Sequence, residues 1–163
     1  MQELEGIEVL EGADRLQRLP LFSALSYDET NELAALVRHE SRRGGEVIVE
    51  ENSLGSALYV VVAGKVRVDR TGPDGTDTLG LLGEGELFGE MALIEDLLTS
   101  ARVVADGDVE LLCIPRRPFE LLLAKSDRLA LKVYRAFCRQ LSERLRKANE
   151  LLALRPGVIS PLT

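Results

Sequence analysis

Residues 85–101 contain the groups of this sequence that are best suited, by type and spacing, to binding a ligand. Gly85 and Gly89 flank a short apolar pair, and glycine allows a backbone to approach a ligand closely. A single carboxylate, Glu90, opens a predicted helical turn whose free N–H groups would point towards negative charge. The small polar pair Thr99-Ser100 closes the segment before the next predicted strand. The pattern therefore predicts an anion-binding pocket formed mainly by backbone groups.

Catalytic chemistry has little support in the sequence. A metal site in a β-barrel enzyme needs several histidines, whereas this chain has only His39, which is predicted to lie at the end of a helix. No base can be assigned to activate Ser100 or Cys113 as a nucleophile. We therefore predict a binding protein that is not an enzyme and that holds no metal or resident cofactor.

The composition indicates the general class of protein. The chain has 163 residues, 45% of them hydrophobic and 29% charged, which is typical of one soluble globular domain over residues 1–163. A net charge of −7 argues against a nucleic-acid partner, and the basic run Arg144-Leu145-Arg146-Lys147 is interpreted as solvated helix surface. No run of about 20 apolar residues spans a membrane, and no signal peptide is visible. We expect a cytoplasmic protein with Cys113 and Cys138 reduced in its core.

Helices are predicted at the N-terminal end, within residues 12–38. A short helix over 13–19 is ended by Pro20. Ser26 and Glu29 form a capping box that introduces a second helix reaching about Val37.

Seven or eight short strands are predicted from residue 40 to residue 114, and their spacing indicates a sandwich or barrel with jelly-roll-like connections in a mainly β, α+β fold. Gly64 is expected to separate strands at 57–63 and 65–70. Asp106-Gly107-Asp108 is expected to form the turn of a final hairpin.

Helices are predicted again over residues 116–153, followed by a tail at 154–163. The longer helix begins near Ser126 and carries apolar residues at spacings of 4, 3, 4, 3 and 4, which is typical of a coiled-coil seam. These residues are Tyr134, Cys138, Leu141, Leu145, Ala148 and Leu152. We expect the first half of this stripe to pack on the barrel of its own chain, and the part from Leu145 onwards to pair with a second copy in a homodimer.

The segment 85–101 resembles the phosphate-binding cassette of cyclic nucleotide-binding domains, in which F-G-E is followed by A-L and then by R-S/T-A. The resemblance extends from about Leu16 to Leu145 and includes the strand residues 45–48 and 57–66. The family includes catabolite activators and the regulatory subunits of protein kinase A. The resemblance implies an eight-stranded jelly roll in which the C-terminal helices act as a lid over the ligand.

The resemblance also implies a role for each residue of the cassette. Glu90 would accept a hydrogen bond from a ribose 2′-hydroxyl, and backbone N–H groups would lie near the ribose and the cyclic phosphate. The implied ligand is cAMP or cGMP. The implied site residues are Phe88, Gly89, Glu90, Met91, Ala92, Thr99, Ser100 and Ala101.

Thr99 stands where the family usually has an arginine that pairs with the phosphate. A hydrogen bond to a charged group contributes about 1.5–3 kcal/mol, or roughly 10- to 150-fold in affinity. Two functions therefore stay open: a cAMP or cGMP sensor that signals through its C-terminal helix to an unknown effector protein, or a ligand-free interaction module. Only about ten residues follow Ala153, so we expect no helix-turn-helix and no DNA partner.

Overall fold

The computed structural model describes residues 13–154, so the predicted tail from residue 155 onwards lies outside the described residues. The described residues form five helices and six strands. In chain order they are α1 (residues 13–18), α2 (Tyr27–Ala34), β1 (Arg38–Arg42), β2 (Val47–Val49), β3 (Ala57–Gly72), β4 (Gly75–Leu82), β5 (Leu87–Phe88), α3 (Glu90–Glu95), β6 (Arg102–Pro115), α4 (Arg116–Lys125) and α5 (Asp127–Ala153).

The two long strands β3 and β6 form the centre of one antiparallel sheet. The strand order is β1-β6-β3-β4, with β2 paired to β6 and β5 paired to β3. Each long strand takes the place of two shorter ones expected from the sequence, so the described part of the chain has six strands rather than eight. The prediction of a break at Gly64 and of a hairpin turn at residues 106–108 was therefore wrong.

The glycines bend these strands without ending them. Gly64 has φ +86° and Gly107 has φ +80°, a backbone region that favours glycine. The pairing of β3 with β6 shifts register between Val61 and Lys65, as expected for bulges at this point. An ideal Cβ at Gly64 would lie 2.4 Å from the carbonyl oxygen of Asp108, so the bulge brings the two backbones too close for a side chain.

The sheet separates two apolar cores. One lies between the sheet and the helices and includes Phe22, Phe119 and Phe137, which are buried. The other lies inside the curved sheet, where Tyr59 stacks on Phe88 with ring centroids 5.0 Å apart. β5 belongs to both cores, because Leu87 packs in the first and Phe88 in the second.

The N-terminal helices follow the sequence pattern closely, with one correction. The Ser26–Glu29 capping box is present, and α2 ends at Ala34 rather than near Val37. As a result His39 lies in strand β1 and is exposed, so its predicted place at a helix end was wrong. Cys113 is buried, whereas Cys138 is exposed on α5 and does not belong to the core.

Helix α5 packs on the domain with a different face from the one expected. Its buried residues are Leu129, Val133 and Phe137. In the predicted stripe, Leu141 is half-buried and the other five residues, Tyr134, Cys138, Leu145, Ala148 and Leu152, are exposed. The expectation that the first half of the stripe packs on its own barrel was wrong, because the buried positions 129, 133 and 137 define a separate face of the helix. Within residues 13–154, no helix combines the length and apolar character needed to cross a bilayer.

The bulge at Gly64 leads to a stability prediction. We expect Gly64→Ala to lower the free energy of unfolding in urea by about 2–4 kcal/mol. The alanine would have to adopt a left-handed backbone conformation, and its Cβ would overlap the neighbouring strand. The matched control is Gly45→Ala, which has φ +89° but open space around an added Cβ, and which should lose only about 1–2 kcal/mol. Equal losses in the two variants would contradict the close backbone approach at Gly64.

Candidate ligand-binding site

The cassette is positioned by the pairing of β5 with β3, in which Phe88 lies opposite Tyr59. Gly89 follows with φ +90° and forms the N-cap of α3. A Cβ at Gly89 would lie 2.6 Å from the carbonyl oxygen of Ala57, so only glycine fits between the two strands. Helix α3 ends at Asp96, which also has a left-handed conformation, with φ +55°. The predicted helical turn that Glu90 opens is confirmed.

Glu90 is the central charged group of the site. It is 1% exposed, although it is a carboxylate in the first turn of α3. Nη1 of Arg144, on α5, donates to Oε1 of Glu90 over 2.8 Å. The ion pair therefore connects the cassette to a helix 54 residues further along the chain.

Two side chains of α5 also bind the backbone of β5. Nη2 of Arg144 and Nε2 of Gln140 both donate to the carbonyl oxygen of Leu87, the second over 3.0 Å. Nε of Arg144 is buried and has no hydrogen-bond partner. Arg144 therefore touches both the carboxylate and the strand that leads into the cassette.

Burial raises the pKa of Glu90, because the ionised carboxylate is removed from water. The positive charge of Arg144 and the Glu90 backbone N–H act in the opposite direction and favour the ionised form. The carboxylate therefore relies on the arginine of α5 as its charged partner.

A small cavity of about 110 Å³ lies beside Glu90. It is lined by all eight predicted site residues together with Val49, Val68, Leu82, Val103 and Arg144. Small-molecule sites usually enclose about 300–1,000 Å³, so the cavity in this structure is too small for a nucleotide, and Arg144 forms part of its wall. An open groove of about 670 Å³ runs between α5 and the loops around residues 20–24 and 84–86, and Arg144 borders this groove as well.

Thr99 is held by the turn between β2 and β3. Its hydroxyl donates to the carbonyl oxygen of Glu50 and accepts from the Ser53 backbone N–H over 3.0 Å. The Thr99 backbone pairs with the same turn, to Ser53 and Asn52, at 2.9 Å each. The hydroxyl proton is therefore used inside the protein and is not directed at a ligand.

The other arginines near the cassette bind acidic groups outside the cavity. Arg102 lies 3.5 Å from Glu50 and is 44% exposed at its side chain. Arg116 pairs with Asp96 and Glu120. Among the described residues that line the cavity, Arg144 is the only basic one.

The sequence analysis missed Arg144 as a site residue. It was included in a basic run interpreted as solvated helix surface, but its guanidinium contacts Glu90 and only 27% of its side chain is exposed. Helical spacing places it three and seven positions after Leu141 and Phe137, near the buried face of α5. That spacing was a usable signal, although it does not identify the partner.

A β-sheet domain with a glycine-capped cassette beneath a C-terminal helix has the architecture of a ligand-binding domain. The sequence profile described as "Cyclic nucleotide-binding domain" matches residues 39–126, more than half of the chain. The chain belongs to the cyclic nucleotide-binding domain family, a family of regulatory rather than catalytic domains.

Relatives include catabolite activators and kinase regulatory subunits. The cyclic AMP receptor protein of Thermus thermophilus is 38% identical over 125 residues, which are 76% of this chain and 58% of that protein. This chain thus spans little more than half of the length of that relative.

Two solved structures extend the comparison. A cyclic nucleotide-binding domain from Methylobacillus flagellatus has a TM-score of 0.78 at 24% identity, covers 95% of this chain and 86% of its own, and shows the shared fold. The regulatory subunit of a cAMP-independent protein kinase A from Trypanosoma cruzi, bound to guanosine, has a TM-score of 0.65 at 26% identity and covers 71% of this chain and 43% of its own.

The hydrogen bonds of Thr99 lead to a second prediction. Thr99→Val keeps the shape of the side chain but leaves the Ser53 N–H without its partner and removes one of the two hydroxyls that donate to the Glu50 carbonyl. We therefore expect a loss of about 1–3 kcal/mol in the free energy of unfolding. Ser100→Ala is the control, because Ser100 is exposed and lies next to Thr99. An unchanged urea midpoint for Thr99→Val would show that the threonine hydroxyl has no structural role.

Proposed function

We propose that this domain is a regulatory sensor in which a cyclic nucleotide, cAMP or cGMP, binds the cassette and changes the position of α5, which signals to a partner protein. Family membership supports the class of ligand. The ion pair between Glu90 and Arg144 is the observation that carries the proposal, because it links the ligand site directly to the C-terminal helix.

The ion pair gives ligand binding a way to act on α5. A ribose hydroxyl that donates to Oε1 of Glu90 would share the acceptor that Arg144 uses in this structure. The last fully buried residue of α5 is Phe137, and beyond it Gln140 and Arg144 hold the helix to the domain by polar contacts. A ligand that alters those contacts therefore alters the attachment of residues 140–153 to the domain.

The cavities support the same movement. Arg144 borders both the 110 Å³ cavity and the 670 Å³ groove, so its displacement would join them into a space large enough for a nucleotide.

A second candidate is a ligand-free interaction module. It is favoured by the hydrogen bonds that hold Thr99 to the turn at residues 50–53 and by the small volume of the cavity. The Trypanosoma cruzi relative is cAMP-independent and holds a nucleoside, guanosine, so nucleosides belong in the ligand tests.

The sensor proposal is tested by calorimetry and amide hydrogen exchange with cAMP and cGMP at up to millimolar concentration. We expect heat of binding, slower exchange in residues 87–101, and altered exchange in residues 140–153. Without ligand, Glu90→Ala should speed exchange in 140–153 because the ion pair is lost, whereas the exposed control Glu95→Ala should not. Absence of heat and of any change in exchange with both nucleotides would favour the ligand-free module.

We also propose that the exposed stripe of α5 forms a homodimer seam. Tyr134, Leu145 and Leu152 are 40%, 63% and 40% exposed, although they are apolar or aromatic and lie on one face at heptad-like spacing. This face lies away from the buried positions of α5, so a partner helix can approach without displacing the domain.

The dimer prediction is tested by sedimentation. We expect a dimer at micromolar concentration that becomes a monomer in Leu145→Glu, because burying the new carboxylate in the seam is unfavourable. The matched control is Leu154→Glu, the same change at an 81% exposed leucine just beyond the end of α5. A monomeric wild-type chain, or a Leu145→Glu variant that stays dimeric, would refute the seam.

A further inference from the structure

A phosphate bound in the cassette of this chain would find no cation at position 99, where Thr99 stands. This question rests on the proposed function, that a cyclic nucleotide binds beside Glu90. Thr99 is uncharged, and its hydroxyl proton is used by the carbonyl oxygen of Glu50. Arg102 and Arg116 are paired with acidic groups outside the cavity. Among the described lining residues, the only remaining basic group is Arg144.

The charges in the cavity determine whether an anionic ligand can bind beside Glu90. In this structure one buried anion, Glu90, is balanced by one cation, Arg144. If Arg144 moved out to solvent when a cyclic nucleotide bound, the carboxylate and the phosphate would be close together in a poorly hydrated site with no compensating charge. Two like charges in such a site repel strongly. A guanidinium that leaves its present position but remains beside the two anions would offset much of this repulsion.

The guanidinium has donors available for a second anion. Nη1 binds Glu90, Nη2 binds the Leu87 carbonyl, and Nε is buried with no hydrogen-bond partner. A buried unpaired donor is costly, and a phosphate oxygen would satisfy it. Guanidinium binds phosphate well, because its donors match the oxygens in pairs.

We propose that Arg144 of α5 is the phosphate-binding cation of this cassette and thereby the residue that determines its specificity for an anionic ligand. On ligand binding the ribose hydroxyl donates a hydrogen bond to Glu90, and the guanidinium turns from the carboxylate to the phosphate. The cation that the family usually places in the cassette is supplied here by the output helix. The charge of the ligand therefore acts directly on the position of α5.

The test compares cAMP with adenosine, which has the same base and ribose but no phosphate, by calorimetry on the full chain. We expect the wild-type protein to bind cAMP at least about tenfold more tightly than adenosine. Arg144→Gln should weaken cAMP binding by roughly 10- to 150-fold without weakening adenosine binding, and Arg144→Lys should recover part of the loss. Arg139→Gln, another arginine of α5 that borders the open groove but not the cassette cavity, is the control.

Three results would overturn the assignment. If Arg144→Gln gained affinity equally for both ligands, Arg144 would only obstruct the cavity. Equal affinity of the wild type for adenosine and cAMP would show that the phosphate is not recognised. Tight cAMP binding that survives Arg144→Gln would place the phosphate on other groups. In each of these cases the proposed sensor still binds a ligand, whereas absence of binding to every variant would overturn the sensor and the assignment together.

Discussion

The domain depends on the pairing of a buried carboxylate with an arginine from a distant helix. Glu90 is 1% exposed in the first turn of α3, and a carboxylate in such surroundings is stable only when it is paired and hydrogen-bonded. The cassette itself offers the Glu90 backbone N–H, and the compensating charge comes from Arg144 of α5. In the proposed sensor, the groups that recognise a ligand and the helix that reports its presence therefore share one interaction. A ligand hydroxyl that donates to Oε1 of Glu90 would share the acceptor through which Arg144 holds α5.

The sequence was informative wherever the relevant contact is local. The Ser26–Glu29 capping box lies within one helical turn, and the cassette is one continuous segment, so all eight of its predicted residues line the same cavity. Gly64 and Gly107 were misinterpreted as strand ends. Gly64 forms a bulge only in relation to the strand beside it, and the register of β3 against β6 cannot be read from the sequence. Arg144 was missed for the same reason, since its partner lies 54 residues away.

The threonine that stands in place of the family's usual arginine, Thr99, is interpreted differently from the structure than from the sequence. From the sequence it is a missing phosphate cation, whereas in the structure the threonine binds the β2–β3 turn to the end of the cassette. Restoring an arginine there would remove those hydrogen bonds. A basic residue on α5 avoids this conflict, because Arg144 binds Glu90 and the Leu87 carbonyl rather than the turn. Helix α5 thus has two separate faces, one that holds the cassette and one that is exposed and apolar.

The most direct test of the central claim is a crystal structure of the full chain grown with cAMP. The account predicts that the ribose hydroxyl lies within hydrogen-bond distance of Glu90 and that the Arg144 guanidinium has moved to the phosphate oxygens, with α5 displaced from the Leu87 carbonyl. A nucleotide seated in the cassette while Arg144 is in solvent, or while Arg144 still binds Glu90 and no basic group touches the phosphate, would contradict it.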